Sequence, residues 1–158
     1  MLYVDSCALI KRYMREPGSD AVNRVIQRAL GADVPILTSV LTYAEIHAAL
    51  ARKLKEQLFR LPEYQLATQR FNSDWRTYLS RVELFQGVLD FVPLLVNRHS
   101  LKAADAIHLA SASWAAHALP RGRQKIPSDP IVFVTSDKQL ATAAGYEHFK
   151  VSDPQTQQ

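Results

Sequence analysis

Four acids stand in apolar, small-residue settings, each on a different stretch of the chain: Asp5, Glu45, Asp105 and Asp137. Asp5 ends the apolar run Leu2-Tyr3-Val4, and Asp137 ends Ile131-Val132-Phe133-Val134-Thr135-Ser136. Asp105 lies between Ala103-Ala104 and Ala106, and Glu45 follows Ala44 with Ala48-Ala49 one turn on. Carboxylates gathered at one place repel: two unit charges ~4 Å apart cost ~4 kcal/mol at an effective dielectric of 20. Either some take up protons or a cation neutralises them. Oxygen donors without Cys or His neighbours select hard ions, Mg²⁺ or Mn²⁺. Such an ion keeps waters and leaves room for a phosphate oxygen, so water can attack phosphorus without a covalent enzyme intermediate.

Each acid also has a plain structural use. Asp5 and Asp137 can cap the helices that follow them, Asp105 can sit against a helix dipole, and Glu45 can pair with a base. Four such uses at once is the less economical reading. Ser6 and Thr135 stand beside proposed ligands and can hydrogen-bond a carboxylate or water, or merely cap a turn. His108 is one turn after Asp105 and within reach, though a histidine there also serves as a hydrogen-bonded helix residue. Cys7 has no basic helper and reads as a small apolar residue and not a nucleophile. Lys11, Arg12 and Arg15 follow Asp5, and Arg98, His99 and Lys102 precede Asp105; these bases can hold nucleic-acid phosphates or form a solvated face.

Elements alternating between strand and helix would bring the acids together. Leu2–Val4 reads as a buried strand, with Ser6 as cap of a helix over residues 7–13. A turn at 16–19 leads to a helix over 20–30, then a strand over 35–38 and a long helix over 39–55. In that helix Val40, Leu41, Ala44, Ala48, Ala51 and Leu54 are expected to face inward. A second long helix over 63–85 carries Phe71, Trp75, Tyr78, Val82 and Phe85, and the two would form a hairpin projecting from the sheet. A strand is expected over 88–92, a short helix over 93–97, a helix over 101–118 and a loop over 120–130. Residues 131–134 form the clearest strand, apolar throughout and therefore central. A helix over 138–144 stopped by Gly145 and an edge strand over 149–151 complete the α/β pattern of a parallel sheet with helices on both faces. In such a sheet the tips of neighbouring strands share one edge, where the four acids would meet.

The chain has 158 residues with 47% hydrophobic and 22% charged residues, ordinary for a globular domain. One cysteine excludes an internal disulfide and a thiolate metal cluster, and suits a reducing cytoplasm. No run reaches the ~20 apolar residues of a membrane span, and no signal peptide is visible. The net charge of +4 and pI ≈ 9.3 favour a polyanionic partner, weakly.

The stretches Tyr3 to Lys11, Thr42-Tyr43-Ala44-Glu45-Ile46, Leu101 to Ala110 and Val134 to Leu140 together resemble the PIN domain family, specifically the VapC-type toxins. The resemblance implies a three-layer α/β/α sandwich with a central, mostly parallel sheet of four or five strands over residues 1–151, followed by a disordered tail over 152–158. It implies a Mg²⁺- or Mn²⁺-dependent endoribonuclease whose acids are Asp5, Glu45, Asp105 and Asp137. It also implies a homodimer held in check by a small antitoxin protein. Cys7 departs from the serine or other small residue usual there. A non-catalytic RNA- or protein-binding module on the same fold stays open. An aspartyl phosphotransferase is disfavoured, because Cys7 stands where that chemistry usually wants a second acid.

Overall fold

The structure, a computed structural model, describes residues 1–118 and 131–156. Five strands form one sheet in the order β3-β2-β1-β4-β5: β1 (Leu2–Val4), β2 (Ile36–Ser39), β3 (Leu79–Val82), β4 (Val132–Val134) and β5 (Lys150–Ser152). All neighbours run parallel, with Tyr3 opposite Leu37 on one side and Phe133 on the other. The apolar 131–134 run lies inside the sheet, while β1 holds its centre.

Helices cover both faces. Leu2 and Val4 of β1 point to a core built with α1 (Ser6–Leu9), α2 (Ser19–Gly31), α3 (Leu41–Lys55) and α4 (Leu61–Thr77). Tyr3 points the other way, into a core built with α5 (Gln86–Leu89), α6 (Val92–His99), α7 (Ala103–Ala118) and α8 (Lys138–Tyr146). This alternation is the period-2 geometry of a strand, here buried on both faces. Small residues line the inner face of α7, where Ala106, Ala110 and Ala112 are fully buried and let that helix lie close to the sheet. Among the described residues no helix is long and apolar enough to cross a membrane.

The first helix is short: α1 gives way at Ile10 to a 3₁₀ turn ending at Arg12, and Asp5, not Ser6, caps it. In α3 the inward residues are Thr42, Ile46 and Leu50, while Ala44, Ala48 and Ala51 face solvent. The expected stripe was therefore out of phase. Alanine lies on either side of a helix at little cost, whereas the branched residues set the buried face. The hairpin partner α4 stops at Thr77, and Leu79–Val82 is a strand instead of more helix. The expected strand over 88–92 is helical, split between α5 and α6, with Pro93 in the first turn of α6 where its missing N–H costs nothing. Helix α8 runs through Gly145 to Tyr146. The expected loop over 120–130, with Arg121, Arg123 and Lys125, lies outside the described residues.

Beyond β5, residues 157–158 of the expected tail lie outside the described residues, and 153–156 form a turn in which Gln155 N–H donates to Asp153 Oδ1 at 2.9 Å. Its Pro154 lies against Gly18, whose φ of +91° opens α2 and where a Cβ would meet the Pro154 carbonyl at 3.0 Å. Only glycine suits both the left-handed backbone and that approach.

Candidate metal centre

The sheet reverses its direction of travel at β1: the chain moves to β2 on one side and returns to β4 on the other. Crossovers leaving in opposite directions open a crevice at the carboxyl ends of those two strands, where open α/β sheets hold their ligands. Asp5 follows β1 directly, and Thr135 and Asp137 follow β4.

Asp5 is buried, at 2% exposure. Its backbone is extended, and Oδ1 accepts the Ala8 N–H at 2.8 Å, capping α1. Its Oδ2 accepts the Thr135 hydroxyl at 2.6 Å and the Cys7 thiol at 3.2 Å. Burial pushes the carboxyl above its ordinary value, and nearby His108 together with these donors only partly offsets it. Burial, then the Asp5 carboxylate, push the Cys7 thiol up to about 12, which agrees with an unreactive cysteine.

Asp137 caps α8 in the same manner, its Oδ1 accepting the Leu140 N–H at 2.8 Å, while its own N–H donates to Thr135 Oγ1 at 3.0 Å. Capping a helix and standing in the acid cluster thus coexist for both aspartates. Asp105 sits half-buried in the first turn of α7. Burial raises its carboxyl, and the charges of Asp137 and Asp5 raise it further against His108 and Lys102. No donor among the described residues hydrogen-bonds Asp105.

Glu45 reaches the cluster from α3, flanking the Thr42–Ile46–Leu50 stripe. Its Oε2 lies 2.8 Å from His108 Nε2. Burial works against its charge, but the hydrogen bond from His108, with the Ser6 hydroxyl, outweighs it and holds Glu45 below the usual carboxylate range. Asp5, Asp105 and Asp137 thus act on one another around the β1 and β4 tips, and Glu45 is joined to them through His108.

The bases divide. Lys11 is buried and pairs with Glu16 at 3.6 Å. Arg12 donates to Asp74 at 2.7 Å and to Asn23 at 3.0 Å, tying the 3₁₀ turn to α4 and α2. These two are taken up inside the fold, whereas Arg98 is exposed but, like His99, meets Glu147 Oε1. Arg15 and Lys102 are exposed.

Two supports were not foreseen from sequence. Tyr3 places its hydroxyl 3.1 Å from His108 Nδ1. Thr38 donates to the Val4 carbonyl at 2.7 Å and shares a 2.7 Å hydrogen bond with Thr42, tying the β1 tip to the helix that carries Glu45. The available signal was a pair of threonines flanking the β2–α3 junction.

The donors suit a hard divalent cation: carboxylate oxygens, two of them on aspartates whose charges are opposed by burial and crowding. Among the described residues no group of three or more His, Cys, Asp and Glu forms a ready cation cage. Mg²⁺ does not require one, since it keeps several waters and takes one or two carboxylates alongside a substrate phosphate.

A family profile described as PIN domain matches residues 2–146. Ribonuclease VapC45 of Mycobacterium tuberculosis (strain CDC 1551 / Oshkosh) is 34% identical over 115 residues, covering 71% of this chain and 74% of that protein. Among solved structures, PAE2754 from Pyrobaculum aerophilum is similar with a TM-score of 0.64 at 18% identity, covering 99% of this chain and 85% of the other. A toxin–antitoxin complex from Klebsiella pneumoniae contains a chain similar with a TM-score of 0.59 at 20% identity, covering 98% of each. At such identities these two structures speak for the fold.

Proposed function

Because this chain belongs to the PIN domain family, we propose that it is a Mg²⁺- or Mn²⁺-dependent endoribonuclease, working in the cytoplasm as the toxin of a toxin–antitoxin pair. The observation that carries the reading is the crowding at the β1 and β4 tips, where Asp5 is buried and the charges of Asp137 and Asp5 bear on Asp105. Buried carboxyls whose ionisation is opposed by burial and by neighbouring acids are the mark of a functional-site candidate.

Asp5 and Asp105 would hold the ion, with Glu45 and Asp137 completing its surroundings. What a divalent ion supplies when bound is Lewis acidity toward a phosphodiester oxygen and a lowered pKa for water. The chain supplies the rest. Thr135 and the Ala8 N–H orient the Asp5 carboxylate. His108 orients Glu45, which stays ionised and accepts a proton from the attacking water. Exposed Lys102, just before α7, and exposed Arg15 are the bases available to RNA phosphates. A small antitoxin and a second copy of the chain are the proposed protein partners. The exposed Leu84, Phe85 and Leu89 around the β3–α5 link and Leu58, Leu61 and Leu66 around the α3–α4 link are surfaces of the kind partners cover.

Purified chain incubated with RNA tests the activity. Cleavage is expected with Mg²⁺ or Mn²⁺, none in excess EDTA, and a loss of at least about 100-fold in Asp5→Asn and Asp105→Asn. Wild-type cleavage that persists in EDTA rejects the proposal. RNA that binds with a steep salt dependence and stays intact with metal present would mark a binding module instead.

A further inference from the structure

Resting on that reading, we infer that Tyr3 and His108 are a positioning pair for Glu45. The Tyr3 hydroxyl fixes which ring nitrogen of His108 carries hydrogen, and that hydrogen holds the Glu45 carboxylate at the rim of the acid cluster.

The three residues come from β1, α7 and α3, and form one unbroken path through the protein. Tyr3 has 0% exposure and its ring stacks on Phe133 with centroids 5.0 Å apart. Its hydroxyl is 3.1 Å from His108 Nδ1, and His108 Nε2 is 2.8 Å from Glu45 Oε2. His108 is itself 2% exposed, so water does not complete its hydrogen bonding. A neutral imidazole has one donor and one acceptor nitrogen. The arrangement with hydrogen on Nε2 satisfies every group: the phenol donates to Nδ1, and Nε2–H donates to the carboxylate. The opposite tautomer would set the Nε2 lone pair against the carboxylate oxygens. Glu45 needs such a hold, because its side chain is 27% exposed and a glutamate has rotamer freedom to swing into solvent. Both ring nitrogens of this buried histidine are partnered, and one of the partners is a carboxylate that reaches solvent at the rim of the acid cluster.

The test uses ¹⁵N-labelled, metal-free protein and Mn²⁺ as probe. His108 ring nitrogen shifts are recorded for wild type and Tyr3→Phe, and Mn²⁺ affinity is titrated by electron paramagnetic resonance for these and for His108→Leu and His108→Gln. Thermal melts verify that each variant is folded. Wild type is expected to carry hydrogen on Nε2 with Nδ1 bare. Tyr3→Phe keeps the ring on Phe133 but should lose that signature, with Mn²⁺ binding weaker by several-fold. His108→Leu should weaken Mn²⁺ binding by about 10- to 100-fold, as loss of a group behind a metal ligand does. His108→Gln, whose side-chain N–H extends to the place of Nε2–H, should recover most of it. The pair is overturned if wild-type His108 carries hydrogen on Nδ1 or on both nitrogens. Ring shifts unchanged in Tyr3→Phe, or wild-type Mn²⁺ affinity in folded His108→Leu, would overturn it equally. If wild type itself binds no Mn²⁺, the metal-dependent activity falls, while the ring shifts alone still decide for or against the pair.

Discussion

Asp5 is held in place by three donors and yet disfavoured as an anion, and that tension has a measurable sign. Burial raises the folded carboxyls of Asp5 and Asp105, so the folded state keeps protons that the unfolded chain has already released. Their contribution to the stability of the metal-free protein therefore falls as pH rises from the ordinary aspartate value through the raised one. Glu45 runs the opposite way: its folded carboxyl is lowered, so its contribution is present above the ordinary glutamate value and is lost as pH falls through the lowered one. At neutral pH, Asp5→Asn should thus stabilise the metal-free chain while abolishing activity. An asparagine still caps α1, and a gain of ~1 kcal/mol would raise the Tm by about 2–4 °C for a chain of this size. Saturating Mg²⁺ should reverse the order: it raises the wild-type Tm, by about 2.7 kcal/mol of binding at 100 times Kd, and leaves Asp5→Asn nearly unmoved. Calorimetry with and without the ion reads both effects. A wild type that melts above Asp5→Asn in EDTA would contradict the assignment.

Helix α3 shows how an element can be found in the sequence while its face is misread. Its length and place were legible because residues 39–55 hold helix formers with no proline or glycine. The buried side was not, because four alanines carry no preference and Thr42 is a polar residue whose hydroxyl is bonded to Thr38. The corrected face predicts that Ile46→Ala, at 0% exposure, costs about 2–5 kcal/mol. Ala48→Glu, on the solvent side, should stay within about 0.5 kcal/mol. Urea melts separate the two; equal costs would restore the first reading. Strand β3 was hidden for a different reason. Phe71, Trp75, Tyr78, Val82 and Phe85 keep helical spacing past the end of α4, and a four-residue edge strand with two exposed middle residues offers little alternation to outvote them. The four acids were legible because each interrupts an apolar setting. The partners that hold them were less so: Tyr3 reads as core, and its hydroxyl contact with His108 spans 105 residues of sequence.

For the molecule as a whole, the order β3-β2-β1-β4-β5 places the reversal of the sheet beside the first residues of the chain. The proposed chemistry therefore depends on segments from both ends being assembled, and it should appear only when folding is complete. In a growing culture, expression of the wild type alone is expected to arrest growth. Asp5→Asn should relieve the arrest, as should co-expression of the product of the neighbouring open reading frame. Arrest that survives Asp5→Asn would separate toxicity from the acids. The sheet also ends without closing on itself. Each outermost strand carries an exposed cation, Arg81 on β3 and Lys150 on β5. Two copies meeting margin to margin would bring like charges together as their main chains tried to pair. Strand pairing between copies is thus disfavoured, and the open margins of the sheet do not serve as a template for a fibre.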